Sequence, residues 1–387
     1  MTKFNIAKKL TVGIDASRNR SGGAKAHLLG ILTQCNPERY GIDEIHVWAY
    51  KSLLDQLPDY SWLVKHNPPA LELSLFSQLW WQAFSLAREA RSVNCDILFA
   101  TDASTLSFFS PLIVLSQDML SYEPGAMRFF GFGFDRLRLV TILLIQNLAF
   151  KRSKGVIFLT RYAGNVIQKS CGTLPRVAYI PHGVGEEFKN TQPLFEWPKK
   201  GERSINCVYV SNAEMYKHQW LVVSAIEFLR KSGYDIYLTL IGGGTGLAQI
   251  KIERQISISD PAGDFVRQLD FLPHQELPFQ LTQADIFVFA SSCENMPVTL
   301  IEGMAVGLPI ASSDRGPMPE VLEDGGLYFN PEDPGSIASA IEKIICDPIL
   351  RSCISKRALD LSKQYSWSRC SDETFKFISE TYWTNLR

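Results

Sequence analysis

Residues 284–316 read ADIFVFASSCENMPVTLIEGMAVGLPIASSDRG, and this stretch decides the fold. The run 284–290 is short, β-branched and aromatic, which predicts a buried parallel strand. Pro297 suits a first helical position because its fixed φ and missing N–H do no harm there, and Gly307 is a stop signal. The pattern therefore predicts a strand, a loop and then a helix over about 298–306.

Two carboxylates flank this junction. Glu294 falls in the loop and Glu302 near the second turn of the helix. Because helical side chains lean toward the N-terminus, we expect both carboxylates to face one spot. Free N–H groups at a helix N-terminus favour an anion such as phosphate, and carboxylates accept hydrogen bonds from hydroxyls. A nucleotide sugar carries both groups, whereas a Glu pair that only complements the helix dipole is the structural alternative.

The surrounding string resembles the signature of the family 4 glycosyltransferases, and the resemblance continues through GMAVGLPIASSDRGPMPEVLEDGGLYFNPEDPGSIASAI. The resemblance implies that the chain is a retaining enzyme with the two-domain α/β GT-B fold, in which two Rossmann-like βαβ domains face each other across a cleft. In this family a Glu-x7-Glu motif binds the donor sugar and its nucleotide.

The resemblance assigns roles to residues at this junction. Glu302 is expected to bind the ribose hydroxyls of the nucleotide, and Glu294 the hydroxyls of the donor sugar. Backbone N–H groups of Asn295, Met296 and Val298 are expected to assist them. Together with Lys217 and Asp118, discussed below, Glu294 makes up the predicted catalytic set.

Length and composition limit the number of domains, the class of ligand and the cellular location that we expect. A chain of 387 residues has the length of two domains, and its formal net charge of −1 gives no global field to recruit nucleic acid. Eight cysteines without metal-like spacing favour a reducing cytoplasm. We find no secretion signal and no apolar segment of the roughly 20 residues that span a bilayer. We expect a cytoplasmic protein, and this location also allows a peripheral position at the inner face of the membrane.

Two βαβ series follow one another along the chain. Apolar runs of strand length alternate with helical periodicity in 1–187, which predicts a parallel sheet. The polar segment 188–204, with two prolines, is the best linker candidate. The pattern restarts over 205–364, the predicted donor domain. The resemblance implies that a final helix, 365–387, packs back on the first domain, which would hold the acceptor.

Glycine-rich loops follow two predicted strands. Gly22 and Gly23 precede a helix expected from about Ala24 to Gln34, and Gly243 belongs to a Gly-rich turn in the second domain. Glycine lets a backbone approach a diphosphate or a sugar closely. The resemblance places these loops at the donor, while a tight turn explains the glycines almost as well.

Lys217 is the predicted leaving-group cation. The stretch VYVSNAEMYKHQWLVVSAI resembles the family segment that reads Gly-Arg, four residues, then Lys, and Lys217 falls on that lysine. A lysine there would neutralise charge on the departing diphosphate. Asn212 stands where arginine is usual and can bond a phosphate without charge, so Arg315 is a speculative substitute cation. A solvated surface lysine is the alternative for Lys217.

Two segments of the first domain depart from the family pattern or remain ambiguous. Gln117 stands where many members have histidine; it can bond a donor-sugar hydroxyl but cannot act as a base. Asp118 beside it is either a cap or loop acceptor, or a contact to the acceptor sugar. His182, where the family usually has Asn, is a packing residue or a phosphate contact.

The chain has no Asp-x-Asp and no His/Cys/Asp cluster with ligand spacing, so we expect no metal and no other cofactor. Lysine and helix dipoles would take the place of the metal. Strings typical of hydrolases or kinases, GxSxG and Walker A, are absent as well.

Residues 128–154 hold six Lys/Arg, one Asp and four phenylalanines near the front. Basic and aromatic side chains on a helix suit the surface of an anionic bilayer. A buried helix with solvated ends is the alternative.

The sequence therefore predicts a retaining glycosyltransferase with a nucleotide-diphospho-sugar donor, GDP-mannose being favoured. The acceptor is expected to be a saccharide, in a polyprenyl-diphosphate-linked form where the enzyme builds a bacterial surface polysaccharide such as O-antigen. The resemblance implies a same-face displacement in which the leaving phosphate helps to deprotonate the acceptor. A GT-B epimerase and a non-catalytic nucleotide-sugar-binding protein are the alternatives.

Overall fold

The computed structural model describes residues 9–20, 22–131, 133–194, 196–199 and 201–385. The chain divides into two compact units, with boundaries after Gly183 and after Tyr365, so that the C-terminal residues belong to the first unit. Each unit is built on its own parallel sheet.

The first sheet has seven parallel strands in the order β3-β2-β1-β4-β5-β6-β7. Its strands are β1 Leu10–Asp15, β2 Ile42–Trp48, β3 Leu63–His66, β4 Ile97–Ala100, β5 Leu112–Ser116, β6 Gly155–Phe158 and β7 Val177–Tyr179. The helices between them are α1 Gly22–Thr33, α2 Lys51–Leu54, α3 Leu75–Phe84, α4 Leu86–Ser92, α5 Phe134–Arg152 and α6 Arg161–Cys171. The first predicted βαβ series is thereby confirmed.

The second sheet has six parallel strands in the order β10-β9-β8-β11-β12-β13. Its strands are β8 Ile205–Val210, β9 Ile236–Ile241, β10 Val266–Leu269, β11 Ile286–Phe289, β12 Ile310–Ser313 and β13 Leu327–Phe329. Its helices are α7 Glu186–Lys189, α8 Gln219–Lys231, α9 Leu247–Ser259, α10 Leu277–Thr282, α11 Val298–Val306, α12 Met318–Leu322, α13 Pro334–Cys346 and α14 Pro348–Ser362. This confirms the second predicted series.

The central strands read as unbroken apolar runs because helices cover both faces of each sheet. Strands β4, β5, β6 and β11 are buried along their whole length. In such open sheets the loops that bind ligands follow the carboxyl ends of the strands. We therefore expect a ligand site of the second unit at the loop after β11.

The last helix, α15 Trp367–Asn385, packs against α1 in the first unit. Gly30 makes this approach possible, since a Cβ at that position would lie 2.3 Å from the Trp367 ring. Ser371 Oγ donates to the carbonyl of Ile31 at 2.7 Å, and Tyr382 Oη donates to Asp96 at 3.1 Å. The chain thus returns to its first unit, as the resemblance implied.

The segment predicted as a linker, 188–204, lies within the second unit. Phe188 is fully buried, and the backbone N–H of Leu194 donates to Thr282 at 2.9 Å. Arg203 forms a two-pronged ion pair with Asp285, at 2.6 and 2.7 Å. These contacts attach the polar segment to the second sheet.

Candidate functional site

The loop between β11 and α11 has the predicted geometry. Helix α11 spans Val298–Val306, and Gly307 closes it in the left-handed conformation, at φ 80°. Pro297 is the residue just before the helix, and the helix bounds match the predicted 298–306. A Cβ at Gly303 would lie 2.8 Å from the Phe287 ring, so this glycine lets α11 lie directly on β11. The helix N-terminus is thereby fixed at the carboxyl end of the strand.

Glu294 and Lys217 meet in this loop. The Lys217 ammonium contacts Glu294 Oε1 in an ion pair whose side chains are only 11% and 14% exposed. The ammonium also lies 5.4 Å from the centre of the Tyr216 ring and 5.7 Å from that of Phe289. Partial burial lowers the local dielectric and strengthens the attraction between the two charges. Two motifs 77 residues apart in sequence therefore come together.

Hydrogen bonds fasten the two loops that carry this ion pair. The backbone N–H of Ser292 donates to the Tyr216 carbonyl at 2.8 Å. The Ser292 hydroxyl lies 2.9 Å from His218 Nε2. His218 adopts the left-handed conformation, at φ 52°, and begins α8 directly after Lys217. Tyr209 Oη donates to the Lys217 carbonyl at 2.7 Å, so the lysine backbone is held from the strand side as well.

Glu302 is buried on α11 and has a different partner. Its Oε1 lies 2.7 Å from His274 Nε2, while its side chain is only 4% exposed. Burial raises the pKa of the Glu302 carboxyl, and the bond to His274 opposes that rise. The same hydrogen bond raises the pKa of His274. Glu294 and Glu302 thus do not share a partner in the part of the chain that the structure describes.

The second oxygens of both carboxylates remain available. Neither Glu294 Oε2 nor Glu302 Oε2 has a hydrogen-bond partner among the described residues. The arrangement therefore offers two acceptor oxygens, one ammonium and the free N–H groups of a helix N-terminus.

The remaining residues of this loop are packed inward. Asn295 and Met296 are each 6% exposed, and Val298 is the first residue of α11. Arg315 lies on the surface, where it pairs with Asp314 at 3.3 Å and bonds Asn330 at 3.2 Å. No contact joins Arg315 to Lys217 or Glu294 in the structure as described, so its proposed role as a substitute cation has no geometric support.

Asn212 and Gly243 lie in neighbouring loops of the second unit. The N–H of Ala213 donates to the Gly243 carbonyl at 3.1 Å, and the Asn212 side chain is exposed. The position that requires glycine is Gly242, where φ is 104° and a Cβ would lie 2.5 Å from the Ser211 carbonyl oxygen. Sequence reasoning chose the neighbouring glycine because the run of three glycines does not say which one turns the chain.

The predicted first-unit residues make local contacts. Gln117 Nε2 donates to the Thr101 carbonyl at 2.7 Å, and Asp118 accepts the Leu120 N–H at 3.0 Å. Asp118 thus acts as a loop acceptor, and burial raises its pKa. Gly22 begins α1 at φ 55°, followed by Gly23, so this helix starts two residues earlier than predicted.

His182 is a packing residue of the first unit. Its Nδ1 lies 3.0 Å from the Nδ1 of His27, and the ring lies 5.8 Å from that of Trp367. Burial lowers the pKa of His182 to about 3. A neutral, buried imidazole is poorly suited to bind phosphate, which favours the packing alternative.

His274 is the site residue that sequence reasoning missed. It follows Pro273 in a 3-10 turn, His274–Glu276, shortly after β10. A lone histidine after a strand carries no motif, and only its position at a carboxyl end could have singled it out.

The described residues hold no cluster of three or more His, Cys, Asp or Glu side chains placed to bind a metal ion. Of the helices that the structure describes, none is long and apolar enough to cross a membrane.

Comparisons with known proteins show what the chain resembles in sequence and in fold. Residues 192–360 match the family model of the glycosyl transferases group 1. The chain is similar to the O-antigen chain mannosyltransferase B of Escherichia coli, with 32% identity over 43% of this chain and 44% of that protein. It is also similar to the amylovoran biosynthesis glycosyltransferase AmsK of Erwinia amylovora, with 36% identity over 31% of each chain. The chain thus spans less than half the length of either relative.

Solved structures establish the fold. Sucrose-phosphate synthase from Thermosynechococcus elongatus gives a TM-score of 0.76 at 16% identity, covering 98% of this chain and 99% of that one. Anabaena Alr3699/HepE, solved in complex with UDP-glucose, gives 0.72 at 17% identity, covering 97% and 100%. These likenesses confirm the predicted GT-B fold.

The ion pair between Lys217 and Glu294 predicts a measurable coupling in stability. In a double-mutant cycle of Lys217→Met and Glu294→Gln, we expect a coupling of about 0.5 to 3 kcal/mol in the free energy of unfolding, because both side chains are largely buried. Urea unfolding of the four proteins measures it. The surface pair Lys51 and Asp55, whose side chains are 70% and 59% exposed, is the control, with a coupling expected near or below about 0.5 kcal/mol. Additive effects of Lys217→Met and Glu294→Gln would contradict the ion pair.

Proposed function

Since residues 192–360 form a glycosyl transferases group 1 domain, we propose that this chain transfers a sugar from a nucleotide-diphospho-sugar to a saccharide acceptor. The observation that carries the proposal is the contact between Lys217 and Glu294 beside the N-terminus of α11. It puts a cation, a carboxylate and helix N–H groups in one loop region. These are the groups that an anionic, hydroxyl-rich ligand requires.

The donor diphosphate would engage Lys217 and the N-terminus of α11. As the bond to the sugar breaks, negative charge grows on the diphosphate, and a fixed ammonium in a partly buried site stabilises it. A diphosphate would compete with Glu294 for the Lys217 ammonium. Glu294 would then have both oxygens available for hydroxyls of the donor sugar.

Glu302 would bind the ribose of the nucleotide. Its free oxygen Oε2 belongs to a side chain that is 96% buried, so a bound hydroxyl would be shielded from water. Bonds of this kind to a charged acceptor are worth about 1.5 to 3 kcal/mol. This group fixes the donor, while the reaction itself proceeds as a same-face displacement with retention.

GDP-mannose is the proposed donor, and a lipid-linked saccharide the proposed acceptor. The support is the likeness to an O-antigen chain mannosyltransferase and to an amylovoran biosynthesis glycosyltransferase. A cytoplasmic enzyme at the inner face of the membrane would meet both the soluble donor and an acceptor carried on polyprenyl diphosphate.

Loss of either ion-pair partner should abolish transfer. We expect Glu294→Ala and Lys217→Ala each to lower kcat/KM at least 100-fold, because each removes a group that acts on the donor. Rates of product formation from GDP-mannose and a mannosyl-lipid acceptor measure kcat/KM. The control variants are Glu276→Gln and Lys231→Met. Full activity in both alanine variants would refute the site.

The same assay separates the alternatives. An epimerase would convert the donor without an acceptor. A non-catalytic binding protein, which the departures at Asn212 and Gln117 favour, would bind the nucleotide sugar without turnover.

Transfer is proposed to need no metal, because Lys217 and the α11 N-terminus would supply the positive charge. Incubation with EDTA should leave the rate of transfer unchanged. If activity falls at least tenfold after EDTA and returns with Mg²⁺ or Mn²⁺, this part of the proposal is wrong.

Helix α5 is the proposed contact with an anionic membrane. It exposes a stripe along one face, formed by Phe134, Leu137, Leu144 and Leu148, each at least 60% exposed. Residues 128–154 carry six Lys/Arg and a single Asp, in a chain of net charge −1. Apolar insertion and charge attraction act together in such interfacial helices. Phe132, which the sequence also placed in this patch, lies outside the described residues.

Vesicle flotation tests this contact. We expect binding to vesicles that contain phosphatidylglycerol, weakened at high salt and lost when Arg136, Arg138 and Lys151 are changed to Glu. Changing Leu144 and Leu148 to Ser should also weaken binding, while Ile349→Ser, an equally exposed position elsewhere, should not. Absence of wild-type binding at low salt would rule the contact out.

A further inference from the structure

The carboxylate of Glu302 depends on one side chain for its charge. It is buried on α11, and its only hydrogen bond among the described residues is the one from His274 Nε2 to Oε1, at 2.7 Å. A buried carboxylate without a partner costs several kcal/mol and tends to take up a proton. His274 therefore decides whether Glu302 can act as an acceptor.

His274 is itself held between two acids. Its Nδ1 lies 4.0 Å from Glu187 Oε1, on the opposite side of the ring from Glu302. The Phe188 ring lies 5.2 Å away, centre to centre, and fixes the orientation of the imidazole. The imidazole is half exposed, so it remains in exchange with protons of the solvent.

The protonation states of the pair are linked. The hydrogen bond to Glu302, then the charges of Glu302 and Glu187, raise the pKa of His274 against the effect of burial. Burial raises the pKa of Glu302, Glu187 adds to that rise, and His274 opposes it. In the described structure, Glu302, His274 and Glu187 are the titratable groups whose charges shift these two pKa values.

We propose that His274 is a positioning residue of the donor site: its imidazolium keeps Glu302 charged and oriented, so that Glu302 Oε2 accepts hydrogen bonds from the vicinal hydroxyls of the ribose. The inference rests on the proposed function, because it assumes a nucleotide at Glu302. It adds a dependence of nucleotide affinity on pH that the two carboxylates alone do not provide.

The sign of the pH dependence follows from the two raised pKa values. As pH falls through the pKa of Glu302, the carboxylate takes a proton and nucleotide affinity falls. As pH rises through the pKa of His274, above its ordinary 6.5, the imidazolium loses its charge and affinity falls again. Affinity should therefore be greatest between these two values and weaker on both sides.

Calorimetric titration with GDP over about pH 5 to 9 tests the proposal, with UDP, ADP and dTDP as alternative probes. For His274→Gln, which keeps a hydrogen-bond donor but cannot titrate, we expect loss of the alkaline limb and an acid limb shifted to higher pH. For His274→Ala we expect affinity at least tenfold weaker near neutral pH. The control is Gln275→Ala, the exposed neighbour on the same turn, whose profile should match the wild type.

The outcomes are distinguishable. If the wild type binds a nucleotide and His274→Gln keeps the wild-type pH profile, the role of His274 is refuted while the proposed function stands. If the wild type binds none of the four nucleotides, the proposed function fails and this inference fails with it. Thermal unfolding of each variant shows that the fold is intact, and His274→Gln preserves the test if His274→Ala does not fold.

Discussion

The close packing of α11 on β11 is the constraint on which the candidate site depends. Gly303 permits it, because any side chain at that position would collide with the Phe287 ring. The helix N-terminus is therefore fixed at the carboxyl end of a central strand, and Glu294 and Glu302 are carried with it. The ion pair with Lys217 then joins this loop to the loop after β8. A cation and two acceptor oxygens become parts of one rigid arrangement rather than of mobile loops.

The arrangement contains two partially buried pairs, Lys217 with Glu294 and His274 with Glu302. Lys217 with Glu294 is suited to the changing charge of a diphosphate, because the ammonium can pass from one anion to another. In the proposed function, His274 would keep the buried Glu302 charged for a ligand that stays bound throughout. One carboxylate thus pairs with a permanent cation, and the other with a group that titrates.

Central strands were predictable from the sequence, whereas three of the four edge strands were not; the fourth, β7, was predicted. The runs that became β1, β4, β5 and β11 are continuous and apolar because both faces of those strands are covered. The strands that escaped prediction, β3, β10 and β13, are all edge strands, where one side lacks a neighbouring strand and polar residues such as Lys65 and Arg267 are tolerated. Helix α11 was predictable to the residue because a proline and a glycine mark its ends.

The site was predictable where a motif existed. The Glu-x7-Glu spacing and the aligned lysine led to Glu294, Glu302 and Lys217. In the structure Lys217 pairs with Glu294, and Glu302 contacts His274. His274 could not be found, because its role arises from a fold-dependent contact between residues 28 apart. Gln117 and Asp118 follow a strand, as predicted. Gln117 donates to the Thr101 carbonyl and Asp118 accepts from the Leu120 N–H, and sequence spacing alone does not reveal these contacts.

A crystal structure with a bound nucleotide-diphospho-sugar is the sharpest test of the proposed donor site. We expect diphosphate oxygens within hydrogen-bond distance of Lys217 Nζ and of the N–H groups at the start of α11, with a ribose hydroxyl on Glu302 Oε2. A nucleotide bound elsewhere, with Lys217 still paired to Glu294 and Glu302 Oε2 untouched, would contradict it.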